Sequence, residues 1–276
     1  CARRLLDGDA DARRQLRDEM ADNRREKASL MQAAGFPADY MELHYQCPDC
    51  RDTGYADGKK CHCFEQERIR ILYAQSNIQE ILRRENFDTL SFAYYDDRDE
   101  LPGLGMTELA YMKRVVSRLR AFAGGFPDSG RNILFTGSTG VGKSFLTNCI
   151  AKALMDRYVS VIYLPSDELF GLLSRSRFGR DGQDEAEETG TDILDCDMLI
   201  IDDLGTEMNN TFVSSQLFCV INERINRGKG TIISTNLSVD LLRDAYSDRV
   251  TSRLMSNYMM IPLYGADKRL RRRWTG

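Results

Sequence analysis

The chain has 276 residues, 42% of them hydrophobic and 29% charged, with a formal charge of −4 and eight cysteines. At roughly 150 residues per domain this length fits one large domain plus a smaller one, and the composition is that of a folded chain rather than a disordered one. The acidic balance excludes a globally basic nucleic-acid binder and leaves room only for local contacts to DNA.

No stretch approaches the ~18 apolar residues of a membrane span, and the charged N-terminus lacks the apolar run of a secretory signal. A cytoplasmic protein with no membrane partner is therefore expected. There the cysteines stay reduced, so their spacing matters more than their number. The first residue is Cys1 rather than Met, as in a fragment of a longer chain.

Residues 3–34 carry many Arg, Asp, Glu and Ala with sparse apolar positions at Leu5, Leu6, Leu16, Met20, Leu30 and Met31. They predict a long helix ending near Gly35 and Pro37, either a solvated arm or a helix that waits for a partner. Next comes CPDCRDTGYADGKKCHC, holding Cys47, Cys50, Cys61 and Cys63. Two thiolate pairs separated by a Gly-containing loop can converge tetrahedrally on Zn²⁺, and metal binding would then supply the folding energy of a segment with so few apolar residues. An iron–sulfur cluster and unliganded thiols are the alternatives, and His62 or His44 could replace one thiolate. Cys149, Cys196 and Cys219 read as small core residues.

Glu65 to Arg84 is helical by pattern, with a broken apolar face. An aromatic patch follows (Phe87, Leu90, Phe92, Tyr94, Tyr95), then the turn-rich stretch Leu101 to Gly105, read as a linker, and a further helix from Thr107 to Gly124. From Asn132 onward, apolar runs alternate with amphipathic segments: NILFTG, VSVIYL, DMLIID, GTIIST and YMMIPL. Strands that are apolar on both faces and separated by helices predict a parallel sheet in an α/β domain. Arg177 to Gly190, acidic and glycine-rich without periodicity, predicts a solvated loop.

Gly137-Ser138-Thr139-Gly140-Val141-Gly142-Lys143-Ser144 lies between the strand NILFT and a helix from Phe145 to Met155, the context a phosphate loop requires. Glycines let the backbone N–H groups approach phosphates, and the helix adds its positive end. Lys143 would bridge the β and γ phosphates of ATP, and Ser144 would ligate Mg²⁺. Downstream, LIIDD ends in paired acids at the sheet edge that faces ligands. Asp202 would hold Mg²⁺ directly or through water, and Asp203 would orient or deprotonate the attacking water. After GTIIST, Asn236 is placed either to bond the γ-phosphate or the water, or to serve as a turn or N-cap residue. Arg249 and Arg253, four apart on one helical face, suit a neighbouring subunit's γ-phosphate or an ordinary surface.

The set GSTGVGKS, LIIDDLG, STN and SRL resembles the AAA+ ATPases, and more narrowly the DnaC/DnaI-type helicase loaders, with the IstB transposition ATPases as close relatives. CPDCRDTGY, CHC and ENFDTLSF extend the likeness upstream. It covers nearly the whole chain, most strongly from about Asn86 to Pro262. The resemblance implies a P-loop NTPase of the AAA+ type: a parallel five-stranded sheet flanked by helices, without a full lid domain, preceded by a small helical zinc-binding module. The implied boundaries are 1–85 for the helicase-interaction module and 86–276 for the ATPase.

It further implies that Lys143 and Ser144 are Walker A residues, Asp202 and Asp203 Walker B, Asn236 sensor 1, and Arg253 the arginine finger with Arg249 in reserve. Many family members carry Glu where this chain has Asp203, which suits slow hydrolysis. The basic tail from Lys268 is read as holding a nucleotide-sensing arginine (Arg269), contacting DNA phosphates, or solvated. The implied function is ATP-dependent loading of a DnaB-type hexameric helicase onto single-stranded DNA by self-associated, ATP-bound protomers. An IstB-like transposition helper and a nucleotide-binding adaptor with little turnover are the alternatives.

Overall fold

The computed structural model describes residues 10–37, 39–40, 43–64, 66–67, 78–128, 130–178, 191–207 and 211–268. The acidic loop from 179 to 190, much of the helix predicted over 65–84, and Arg269 with the rest of the basic tail lie outside the described residues. The chain divides into two compact units, residues 1–51 and 52–276.

In the first unit, helix α1 (Ala10–Ala33) ends as its sequence predicts. Gly35 adopts a φ of 76°, Phe36 N–H donates to Met31 O at 3.0 Å and Gly35 N–H to Gln32 O at 3.1 Å. This pair of bonds satisfies the last carbonyls and needs a left-handed residue at Gly35. Leu30 stays 64% exposed on this helix, so its apolar positions form no core of their own.

The second unit opens with a two-stranded hairpin, β1 (Tyr55–Ala56) and β2 (Lys59–Lys60), closed by Asp57 and Gly58, both at positive φ, the pairing that suits a two-residue turn. Helix α2 (Ile78–Arg84) and a 3-10 turn at Phe92–Tyr94 follow. Leu101 N–H then donates to Met106 O, and Glu100 bridges Thr107. The Leu101–Gly105 stretch is thus a closed turn rather than the linker its composition suggested, and Leu82 and Phe87 before it share one core with Met112 after it.

Helix α3 (Glu108–Gly125) is capped by the Thr107 hydroxyl. It leads to the sheet: β3 (Asn132–Thr136), α4 (Lys143–Met155), β4 (Val161–Pro165), α5 (Ser166–Phe178), β5 (Met198–Leu204), α6 (Thr211–Asn226), β6 (Gly230–Thr235), α7 (Val239–Tyr246), α8 (Asp248–Asn257) and β7 (Met259–Pro262). All five predicted strands form. They run parallel in the order β4-β5-β6-β3-β7.

Alternation along the strands sends side chains to two cores. Ile133, Phe135 and Ile200 pack with Met112, Leu119, Leu146 and Ile150 from α3 and α4. Leu134, Leu199 and Ile201 pack with Leu169, Leu217, Leu242 and Leu254 from α5, α6, α7 and α8. Covering both faces explains why these strands read as unbroken apolar runs. Cys149 and Cys196 are buried, as expected, but Cys219 is exposed. Helix α6 buries Val213, Leu217, Val220, Ile221 and Arg224, a helical stripe that leaves position 219 on the other face.

Candidate functional site

Strands β3, β6 and β5 are neighbours, with Thr136 opposite Thr235 and Thr235 opposite Leu204. Parallel pairing therefore sets their C-terminal ends side by side, and with them the phosphate loop, Asn236, Asp202 and Asp203. The loop turns on Gly137, Gly140 and Gly142, at φ of 145°, 80° and 106°, conformations that side chains resist. Gly142 starts α4 without a side-chain cap, so the first N–H groups of the helix face the loop, the arrangement that receives phosphate. Lys143 is 5% exposed and donates through Nζ to Gly137 O at 2.7 Å and Ser138 O at 2.9 Å. Val141 is buried under the loop, while Thr139 and Ser144 stay more open.

The two acids of β5 have opposite surroundings. Asp202 is buried; its carboxylate accepts a 2.6 Å bond from the Tyr163 hydroxyl and another from Ser234. Burial first, and then the Asp202 charge and hydrogen bond, push the Tyr163 phenol far up, so it acts as a fixed donor. Asp203 is exposed and sits at a φ of 53°, where the register to β6 shifts between Ile201 and Leu204. Its N–H donates to the Ser234 hydroxyl at 2.9 Å, so one serine orients both acids. This bulge turns consecutive residues to different environments: one carboxylate is held rigidly and the other is presented.

Asn236 is exposed just past β6. The cap of α7 that it could have supplied is made by Ser238. Arg249 and Arg253 stand one turn apart on α8, exposed, opposite the buried Val250, Thr251 and Leu254. The structure thus gathers Gly137–Ser144, Asp202, Asp203 and Asn236 along one sheet edge, and leaves the two arginines facing outward.

Several positions escaped the sequence reading. Tyr163 and Ser234 hold Asp202, but in the sequence they look like ordinary members of apolar strands. Glu108 and Lys268 lie far apart in the chain, yet form a buried ion pair with side chains 5% and 12% exposed. That pair secures the segment after β7 against the loop: Leu263 N–H donates to Thr136 O and Lys268 N–H to Gly140 O. Lys268 Nζ also lies 4.8 Å from the centre of the Tyr95 ring, whose phenol burial, then Glu108, pushes up to about 12.

Residues 102–273 match the family described as IstB-like ATP binding protein. The chain belongs to the IstB-like ATP-binding family. Among curated relatives of this family member, the replicative helicase loader DnaC of Escherichia coli strain K12 is 22% identical over 139 residues, 50% of this chain and 56% of that protein. The match thus spans about half the length of that relative. The insertion sequence ATP-binding protein y4pL of Sinorhizobium fredii is 26% identical over 183 residues, covering 64% of this chain and 70% of that protein. The crystal structure of the DnaC helicase loader superposes with a TM-score of 0.53 at 22% identity, over 67% of this chain and 99% of that one. That of DnaI gives 0.50 at 22%, over 69% and 93%. These likenesses establish the P-loop AAA+ fold that the sequence motifs implied.

In the first unit Cys47 and Cys50 are buried, and in the second Cys61 is buried and Cys63 half-buried. Two such thiol pairs are a donor set that suits a tetrahedral Zn²⁺. Cys61 N–H donates to Gly54 O at 2.8 Å and Arg51 N–H to Cys47 O at 2.9 Å, local bonds that fold each cysteine pair back on itself. His62 places Nδ1 2.8 Å from Tyr158 O, a bond that ties the ring to the turn between α4 and β4. Among the described residues no helix is long and apolar enough to cross a membrane.

Proposed function

We propose that this protein is an ATP-dependent loader of a replicative hexameric helicase onto single-stranded DNA, acting in the cytoplasm. The observation that carries the reading is a nucleotide-binding core whose backbone matches the DnaC loader over nearly all of that chain, preceded in the sequence by the paired cysteines Cys47, Cys50, Cys61 and Cys63. In this reading residues 1–85, with helix α1 and a zinc-bound cysteine cluster, grip the helicase, and residues 86–276 form the nucleotide-driven part.

At the nucleotide, the loop N–H groups from Gly137 to Ser144 bind the phosphates, and Lys143 neutralises the β and γ groups. Ser144 and Asp202 would hold Mg²⁺, which would supply positive charge beside the phosphates. The carboxylate of Asp202 is already oriented for this by Tyr163 and Ser234. Asp203, exposed and one residue beyond, orients the attacking water; Asn236, across the sheet edge, bonds the same water or the γ-phosphate. Arg253, with Arg249 beside it, faces the site of a neighbouring protomer, where an added cation raises the rate of phosphoryl transfer by about 10³ or more. Hydrolysis is then slow in the single chain and stimulated by self-association, and it releases the loader from the helicase.

Co-purification with a replicative hexameric helicase in ATP and Mg²⁺ tests the reading. Stable association is expected; its absence with intact ATP binding sinks the loader assignment. The second reading, a transposition helper, draws on the family match and on the y4pL relative. It would be supported by ATP-dependent recruitment of a transposase where no helicase binds.

A further inference from the structure

The loop after β5 carries a carboxylate that none of the roles above employs. Glu207 accepts the Ser166 hydroxyl at 2.6 Å and the Gly205 N–H at 3.0 Å on Oε2, and the Tyr246 hydroxyl on Oε1. The single proton of Ser166 goes to this carboxylate, which is charged and nearer than the Asp203 carbonyl 3.1 Å away, and a bond to an ionised acceptor is the stronger one. A carboxylate held by three donors from separate elements has little rotational freedom left. Two of those donors lie at or beside the Walker B strand: Gly205 stands two residues past Asp203, and Ser166 begins α5, directly after the strand that pairs with β5.

The third donor leads elsewhere. Tyr246 is completely buried and is the last residue of α7; its carbonyl accepts the Ser214 hydroxyl of α6. Ser247 follows at a φ of 87°, a conformation that breaks helical continuity between α7 and α8. Helix α8 begins at Asp248 and carries Arg249 and Arg253. Helix α8 is anchored along its length by Val250, Thr251 and Leu254 and at its start by Tyr246, whose hydroxyl is held by Glu207. Burial, followed by the bond to Glu207, also keeps this phenol protonated, which preserves it as a donor.

We propose that Glu207 is a positioning residue that, through Tyr246, sets the arginine helix α8 from the strand end bearing Asp202 and Asp203, so that a protomer's own nucleotide site governs the arginine it offers its neighbour. The inference rests on the trans-arginine reading given above and adds the link between the two sites. Movement of the Asp203–Gly205 bend, where both residues have positive φ, reaches α8 along two side chains.

Mixed assemblies test it. A chain with Asp203→Asn, which holds ATP without turning it over, keeps its arginines and an occupied site; one with Arg249→Ala and Arg253→Ala keeps its site but lacks arginines. Mixing them is expected to restore ATP hydrolysis above the sum of the separate rates. Tyr246→Phe, which removes one hydroxyl, is then placed on either chain. On the arginine-donating chain it lowers the restored rate about tenfold, within the range that small misplacements of a positioned group produce. On the site-bearing chain it lowers the rate less than about twofold, with affinity for an ATP analogue unchanged. Glu207→Gln, which keeps the volume but cannot accept all three donors, shows the same asymmetry and guards against a local folding defect of the tyrosine variant. Equal losses on both chains, or none on the donor, overturn the link while the trans-arginine reading stands. Failure of the parent mixture to recover any activity overturns that reading, and the link with it.

Discussion

Lys143 stands on a helix that buries Leu146, Cys149, Ile150 and Leu154 completely, and the loop before it is bonded through its backbone to the segment after β7. Arg249 and Arg253 stand on a ten-residue helix whose Val250, Thr251 and Leu254 are buried, Val250 and Leu254 in the core under the sheet, while the two arginines themselves are exposed on its other face. The groups that would serve a protomer's own nucleotide are thus fixed by a closed backbone loop and buried side chains. Those that would serve a neighbour project into solvent from an anchored helix. An exposed long side chain keeps rotamer freedom that a buried one has lost.

Replacing groups on the fixed side gives the largest effects. Lys143→Ala is expected to lower turnover by at least about 10²-fold, as loss of a preorganised donor does, while leaving the thermal midpoint nearly unchanged. A steady-state ATPase assay read beside thermal unfolding checks this. If turnover survived, the phosphate loop would not be the working centre of the comparison.

Lys268→Met strands the buried carboxylate of Glu108, and removing one partner of a buried pair costs about 3 kcal/mol. Urea unfolding should show that loss, and combining the change with Glu108→Gln should recover most of it. A loss much below 1 kcal/mol would mean that the segment after β7 does not secure the loop.

Gly140→Ala probes the same contact at smaller scale. A Cβ there would lie 2.0 Å from the Asp267 carboxylate, at a φ of 80°. The strain amounts to about 1–2 kcal/mol and should weaken binding of a fluorescent ATP analogue roughly tenfold. Adding Asp267→Ala should relieve the steric share and leave the backbone share.

The smallest effect marks the far end of the sheet. Asp197, just before β5, pairs with Lys229 at 2.8 Å. Burial would raise its carboxyl, but the Lys229 and Ser160 bonds outweigh this and hold it below the usual value. A depressed carboxyl stabilises the fold above the ordinary carboxylate range and loses that contribution as the pH falls through the folded value. Lys229→Met should cost about 0.5 kcal/mol at neutral pH, in keeping with a partly exposed pair, and the difference should vanish in acid. Turnover should not change; if it did, rigidity at this end would matter to the site.

Much of this was legible in the residues. The five strands announced themselves as apolar runs, because a sheet covered on both faces needs no polar alternation. The phosphate loop is a local motif whose glycines must stand where backbone turns on positive φ. Gly35 ended α1 for the same reason. What escaped was of another kind. Leu101–Gly105 has the composition of a linker yet closes on itself, and Cys219 lies on a helix whose buried stripe passes it by. Tyr163, Ser234, Glu207 and Tyr246 carry no motif at all, since each acts by meeting a residue remote in the chain.

The sequence alone therefore determined the fold class, the nucleotide loop, the paired acids and the thiol set, because each depends on residue types at short spacing and on the geometry those spacings impose. Only the tertiary structure decided that Asp202 is buried and braced while Asp203 is presented, that Lys268 returns to the loop through Glu108, and that Tyr246 meets Glu207. Those outcomes depend on which distant side chains the parallel sheet brings into reach, and local spacing carries no record of that.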